Sequence, residues 1–246
     1  MRRKTICFLV RFVLLLPALL LAQAPAGAPA NPANQPFFNA RNEPRHMRFV
    51  EIAQAGNIDL LFVGDSITDW FYWPRGQNPA TGGDIWKAAF GSMKAANFAI
   101  AGDTTQGVLW RMQNGELEGF KAKLIVLMLG TNNINRNPSD EIVDGDRLII
   151  EEFKKRQPQA KVLLLGIFPR TMAADAPVRA TIKDINLKLE KLADNKQVFY
   201  MDIGSKFLTT DGTLTTEIMP DGLHPSAKGY QVWADAILPQ VKNLMK

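Results

Sequence analysis

Five short apolar runs, each followed by polar residues, limit what this chain can fold into. They occupy residues 59–64, 95–100, 124–130, 161–168 and 197–202. Most lack the polar–apolar alternation of a strand with one wet face. They read as strands buried on both faces, the pattern of a parallel sheet. Parallel strands need crossover connections. Helix-like segments stand between the runs at 104–113, 138–157 and 178–194, with a last one at 226–244 and one ahead of the first run at 41–56. In that leading segment Phe49, Val50, Ile52 and Ala53 are apolar and Gly56 is a stop. Strands alternating with helices predict the α/β class, a three-layer α/β/α sandwich on five parallel strands. No internal repeat or second-domain linker interrupts the pattern. From Trp70 to Gly83 the residues Pro74, Gly76, Pro79, Gly82 and Gly83 predict a long loop.

The N-terminus has a different character. Arg2, Arg3 and Lys4 precede an apolar run from Leu14 to Leu21, and Ala22-Gln23-Ala24 has the small-x-small form of a cleavage site. Arg11 and Pro17 break the run, which falls short of the roughly 20 apolar residues that span a bilayer. Residues 1–24 therefore read as a signal peptide, 25–36 as a Pro/Ala-rich linker, and 37–246 as the folded domain. The expectation is an exported protein, periplasmic or secreted, with no stable membrane insertion after cleavage. Cleavage removes four of the five net positive charges and leaves +1. The basic balance is thus a targeting feature and gives no reason to expect a nucleic-acid partner. The single cysteine, Cys7, leaves with the same segment, so the domain has no thiolate nucleophile and no disulfide.

Ligands of an open parallel sheet bind beyond the C-terminal ends of its strands. The residues just past the runs are Gly64-Asp65-Ser66, Gly102-Asp103-Thr104, Thr131-Asn132-Asn133 and Pro169-Arg170, with Asp221-Gly222-Leu223-His224 much later. Ser66 stands at a strand-to-helix turn, where a serine is most often an N-cap but can also be a nucleophile. A hydroxyl needs a base. Of the two histidines, His46 sits in the first helix beside Arg45 and reads as structural or surface-exposed. His224 lies three residues after Asp221, a spacing that lets a carboxylate orient an imidazole. Gly102 and Asn132 read either as ordinary turn residues or, in an acyl-transfer site, as oxyanion donors, with the Ser66 N–H as another. No carboxylate or histidine cluster has metal-ligand spacing, and neither a Walker nor a GxGxxG pattern occurs, so no metal or other cofactor is expected.

Each element alone is ordinary, but their joint order is not. Gly-Asp-Ser, then Gly102, then Gly130-Thr131-Asn132, then Asp221-x-x-His224 resemble the four blocks of the SGNH (GDSL-type) hydrolases. The stretch from Ala96 to Thr105, Val108-Leu109-Trp110-Arg111, Asn114-Gly115-Glu116-Leu117 and Leu165–Arg170 is similar to the catalytic subunits of platelet-activating-factor acetylhydrolase Ib. The resemblance covers roughly residues 58–240. It implies a flavodoxin-like sandwich, Ser66 as nucleophile, Asp221 and His224 as its activating pair, and Ser66, Gly102 and Asn132 as the oxyanion hole. It also implies a homodimer as the form to look for.

The resemblance implies a short acyl chain on a small-molecule or glycan ester, with Asp65, Asp103, Trp70 and Arg170 as candidate contacts; Asp103 and Arg170 read equally well as makers of loop hydrogen bonds or salt bridges. The aromatic run Trp70-Phe71-Tyr72-Trp73, with Trp86, reads either as a sugar-stacking wall or, equally well for most of its members, as core packing or loop anchoring. Trp110 and Trp233 fall in helix-like segments and read as core. The same triad would serve an O-acyltransferase, and a non-catalytic binding module on this fold would have lost triad or oxyanion residues.

Overall fold

Strands β1 (Leu60–Gly64), β2 (Ala95–Asn97), β3 (Leu124–Met128), β4 (Lys161–Leu165) and β5 (Val198–Met201) form one sheet in the order β2-β1-β3-β4-β5. Every pairing is parallel, with Leu61 opposite Ile125 and Val126 opposite Leu163. The computed structural model describes residues 32–73 and 82–246. The expected signal peptide, most of the linker, and Pro74, Gly76 and Pro79 of the expected loop lie outside the described residues.

Seven helices complete the described fold: α1 (Glu43–Gln54), α2 (Ser66–Tyr72), α3 (Gly83–Phe90), α4 (Thr105–Gln113), α5 (Ser139–Arg156), α6 (Pro177–Leu189) and α7 (Ala227–Leu244). Side chains of successive strand residues point to opposite faces. Leu61, Val63, Ile125 and Leu127 pack with residues of α1, α4, α5 and α6. Leu60, Phe62, Leu124 and Val126 pack with α2, α3 and α7. The two clusters explain why the strands carry apolar residues at every position: both faces are covered.

Chain order reverses between β1, which leads outward to β2, and β3, which leads the other way. That makes the crevice beyond β1 and β3 the topological switch point. The residues after these two strands are Asp65-Ser66 and the Gly130-Thr131-Asn132 turn. The five parallel strands are as the sequence pattern predicts, and the flavodoxin-like sandwich is as the family resemblance implies.

Three expectations need correction. The stretch from Trp70 begins as helix, because Asp65 caps α2 by accepting the Ile67 N–H at 3.0 Å, and the helix runs to Tyr72. Gly83 likewise starts α3 rather than ending a loop. The domain also begins before Phe37. Ala33 is fully buried, its carbonyl accepts the Thr105 hydroxyl at 2.7 Å, and Asn34 donates to Asp144 at 2.8 Å. A composition-based boundary missed this because the segment is held by its backbone and one amide, with little apolar bulk. Finally, Trp110 is only half-buried on α4, covered by Phe38 at 4.7 Å between ring centroids, whereas Trp233 is full core.

Candidate active site

Ser66 is the first residue of α2, directly after the Asp65 cap. Its N–H belongs to the helical turn whose donors have no carbonyl within the helix. Its Oγ lies 2.9 Å from Nε2 of His224. His224 Nδ1 in turn lies 2.6 Å from Oδ2 of Asp221. The other oxygen of Asp221 accepts the backbone N–H groups of Leu223 (3.0 Å) and His224 (2.8 Å). The carboxylate thus shapes the same tight turn that carries the imidazole. Burial raises the Asp221 pKa, but the hydrogen bonds from the His224 side chain and backbone outweigh it and hold the carboxyl below its usual range. An ionised carboxylate fixes the proton on Nδ1 and leaves Nε2 as an acceptor facing the hydroxyl.

The histidine turn is braced from β4's far end. Thr171 donates its N–H to the Gly222 carbonyl at 2.7 Å, from a left-handed backbone (φ 67°) that a β-branched residue rarely adopts. Arg179 on α6 holds both carbonyls of this loop, with Nε on Arg170 (2.7 Å) and Nη2 on Thr171 (2.9 Å).

The two oxyanion candidates lie in the turns that follow β2 and β3. Gly102 is exposed at φ 80°, and a Cβ there would meet nothing within 4 Å, so its backbone borders open space beside the site. The turn that carries it is docked on α2: Ala101 donates its N–H to Asp69 Oδ2 at 3.0 Å. Arg45 of α1 clamps Asp69 at 2.8 Å and the Ala99 carbonyl at 3.2 Å. Asn132 is half-buried, and its amide donates to the Asp103 carbonyl at 2.8 Å. That bond uses one of two amide hydrogens and orients the other. Removing one oxyanion donor costs about 10²–10³ in turnover. Asn132→Ala should therefore lower kcat by that factor with KM nearly unchanged, measured by steady-state kinetics on a chromogenic ester.

Of the four expected substrate contacts, two are corrected. Asp65 is fully buried as the α2 cap, and Asp103 is 2% exposed, tied to Arg111. Both carboxylates are buried away from solvent. Arg170 donates to the carbonyl and hydroxyl of Thr131, bracketing the ends of β4 and β3. Trp70 does line the site: its ring lies 4.0 Å from the His224 ring at 40°. Of the two readings of the aromatic run, core packing holds for Phe71, which stacks on Tyr230, and for Trp86, which meets Phe62 edge-on. Trp73 packs under Arg45 and Arg48, and Tyr72 is exposed. His46 is structural, buried against Glu116 at 2.8 Å. Arg45, Asp69, Arg111 and Arg179 all support the site. Sequence reasoning singled out none of the four as a site residue, although Arg111 stands in the stretch similar to the acetylhydrolase subunits; their contacts with Asp103, Asp69 and the Arg170–Thr171 loop are visible only in the fold.

Asp65 carries a pH-dependent cost. Burial pushes its carboxyl up to about 7, against the Ile67 N–H that favours the charged form, and the Asp103 carboxylate pushes the same way as burial. Its second oxygen has no hydrogen-bond partner among the described residues. A folded pKa above the unfolded 3.8 means the native state holds the proton more tightly. The resulting stability is complete below pH 3.8 and is lost as pH rises through about 7. At about 1.4 kcal/mol per unit, the loss is on the order of a few kcal/mol. Asp65→Asn keeps a cap oxygen, so it should raise the melting temperature at pH 8 more than at pH 5 in thermal unfolding.

Comparisons with known proteins agree with this geometry. The GDSL-like Lipase/Acylhydrolase family model matches residues 62–232. Platelet-activating factor acetylhydrolase IB subunit alpha2 of Rattus norvegicus is 38% identical over 190 residues, covering 76% of this chain and 77% of that protein. The alpha1 subunit of Homo sapiens is 34% identical, covering 75% and 76%. Among solved structures, an acetylxylan esterase from Geobacillus stearothermophilus superimposes with a TM-score of 0.58 at 19% identity, covering 74% of this chain and 93% of that one. The strand order, the crevice at its switch point and these matches give one answer: the chain belongs to the GDSL-like lipase/acylhydrolase family of ester-cleaving enzymes.

Proposed function

We propose that this enzyme is a serine esterase that removes short acyl groups, acetyl foremost, from carbohydrate or glycan alcohols through an acyl-enzyme. The observation that carries the reading is the line from Ser66 Oγ through His224 to Asp221, at 2.9 and 2.6 Å. His224 Nε2 takes the Ser66 proton as Oγ attacks the ester carbonyl. The oxyanion is held by the N–H groups of Ser66 and Gly102 and by the Asn132 amide. His224 then protonates the departing alcohol. A water, deprotonated by the same nitrogen, attacks the acyl-enzyme, and collapse of the second oxyanion frees the carboxylic acid and Ser66. Asp221 stays ionised and stabilises the imidazolium in both halves.

Two observations support the substrate class. The curated relatives are named acetylhydrolases, and a structural neighbour is named an acetylxylan esterase. Trp70 presents an aromatic ring beside the reacting imidazole, where a sugar or other alcohol would leave. The basic start, apolar run and small-x-small site of residues 1–24 support export, where acetylated glycans are met. Fractionation of expressing cells would test that part, and full-length protein retained in the cytoplasm would refute it.

The test of activity is hydrolysis of p-nitrophenyl acetate, butyrate and octanoate, and of acetylated xylo-oligosaccharides, with Ser66→Ala as control. Turnover should depend on Ser66, fall with acyl length and release acetate from the glycans. A preference for octanoate would sink the short-chain reading. Acyl transfer to an added sugar in preference to water would replace hydrolysis with transfer.

A further inference from the structure

Four ionisable side chains outside the catalytic line form a buried chain that ends at the oxyanion donors. His46, Arg111, Glu116 and Asp103 are each 5% exposed or less. His46 Nδ1 meets one oxygen of Glu116 at 2.8 Å, and Arg111 Nη1 bonds the other. Arg111 Nε donates to Asp103 Oδ2 at 2.9 Å, and Nη1 also reaches the Phe98 carbonyl at 3.0 Å. Buried ion pairs are costly to desolvate, and packed apolar residues often serve stability as well or better. Stability alone is therefore a weak reason for this cluster.

Its position gives a stronger one. Asp103 is held at both ends. Its carboxylate is clamped by Arg111 and by the Thr104 N–H at 3.0 Å, and its carbonyl orients the Asn132 amide. Its own nitrogen is the next peptide after Gly102. The carboxylate also lies flat against α4: a Cβ at Gly107 would come within 2.1 Å of Asp103 Oδ1. We propose that Arg111 is a positioning residue for the oxyanion hole. By clamping Asp103 it fixes the Gly102–Asp103 turn, so that the Gly102 N–H and the Asn132 amide address one point beside Ser66 Oγ. The proposal rests on the esterase reading above. Arginine suits the task because its fork serves Asp103, Glu116 and the Phe98 carbonyl in one plane, which a lysine ammonium cannot do.

The test is a double-mutant cycle on the full chain. Arg111→Lys and Asp103→Asn are made alone and together with Asn132→Ala, and kcat and KM are measured on p-nitrophenyl acetate beside thermal unfolding. Small misplacements in an active site can cost about 10²-fold, so each single variant should lose about 10- to 100-fold in kcat, with KM within about twofold. In the Asn132→Ala background the combined loss should fall at least about tenfold short of the product of the separate losses. Fully multiplicative losses overturn the proposal, as does an unchanged kcat in a variant whose melting temperature has dropped. Should Arg111→Lys fail to fold, Asp103→Asn, which keeps the side-chain shape, decides by the same cycle. No Ser66-dependent turnover by the unsubstituted protein would overturn the esterase reading and this one with it, whereas multiplicative losses overturn only this one.

Discussion

Ser66→Ala should lower kcat/KM on p-nitrophenyl acetate by about 10⁴-fold or more, because triad members act as a unit and the loss of one removes most of what the set supplies. The substitution deletes the atom that forms the acyl-enzyme and leaves His224 with no hydroxyl to deprotonate. What remains is attack by water on an ester polarised by the Gly102 and Asn132 donors. The fold should be nearly indifferent. Asp65, not Ser66, caps α2, and alanine is a good helix former. The Oγ contact is with His224, across the crevice. The melting temperature should therefore stay within a degree or two of the unsubstituted protein, a free-energy change below about 1 kcal/mol. The two readouts belong together: a large loss of rate in a protein that melts normally separates a nucleophile from a structural serine. Activity that survives would remove Ser66 from the mechanism and leave the Ser66–His224 contact as an N-terminal hydrogen bond only.

Much of this was legible in the sequence. Strands buried on both faces cannot alternate, so the five apolar runs announced a parallel sheet without any knowledge of order. The polar residues that end those runs were then the place to look for chemistry. The runs overstated strand length where the chain keeps its direction but leaves the sheet. Residues 98–100 continue past β2, and the Phe98 and Ile100 N–H groups still reach the carbonyls of Phe62 and Gly64. The helix expected after Ser66 runs on through Trp70, Phe71 and Tyr72, an extent hidden because those residues are aromatic and sit beside loop-forming Pro and Gly. It is made by one cap and by burial of Ile67 and Phe71. Propensity sees neither.

The site was legible to the depth of the Ser66–His224–Asp221 line and no further. Ser66, Asp221 and His224 stand out because few residue types can do that work. Asp65 and Asp103 misled for the opposite reason: a carboxylate beside a nucleophile is as often a cap or an ion-pair partner as a contact, and only burial tells these apart. Arg111 and Arg45 sit on helices α4 and α1 in segments that look like ordinary amphipathic surface. Their importance lies in contacts that only the fold reveals, Arg45 with Asp69 on another helix and Arg111 with Asp103 across the turn that opens α4.

Asp221→Asn should reduce kcat by about 10³–10⁴-fold, nearly as much as losing the histidine, although the change is one of a few atoms. The amide oxygen can still accept the N–H groups of Leu223 and His224, so the turn keeps its shape. The amide nitrogen now faces Nδ1 across the 2.6 Å contact. It is a donor, and it favours the tautomer with Nδ1 bare and the proton on Nε2. That nitrogen then donates toward Ser66 and cannot take its proton. An alternative outcome has a physical basis. The Asp221 side chain is 48% exposed, so water can supply part of what the carboxylate does, and the loss should sit at the lower end of that range. If kcat falls less than tenfold while the melting temperature is unchanged, Asp221 is a turn former and the tautomer of His224 is set elsewhere. If it falls as expected with the turn intact, the carboxylate acts by holding a proton on one nitrogen so that the other is free to receive one.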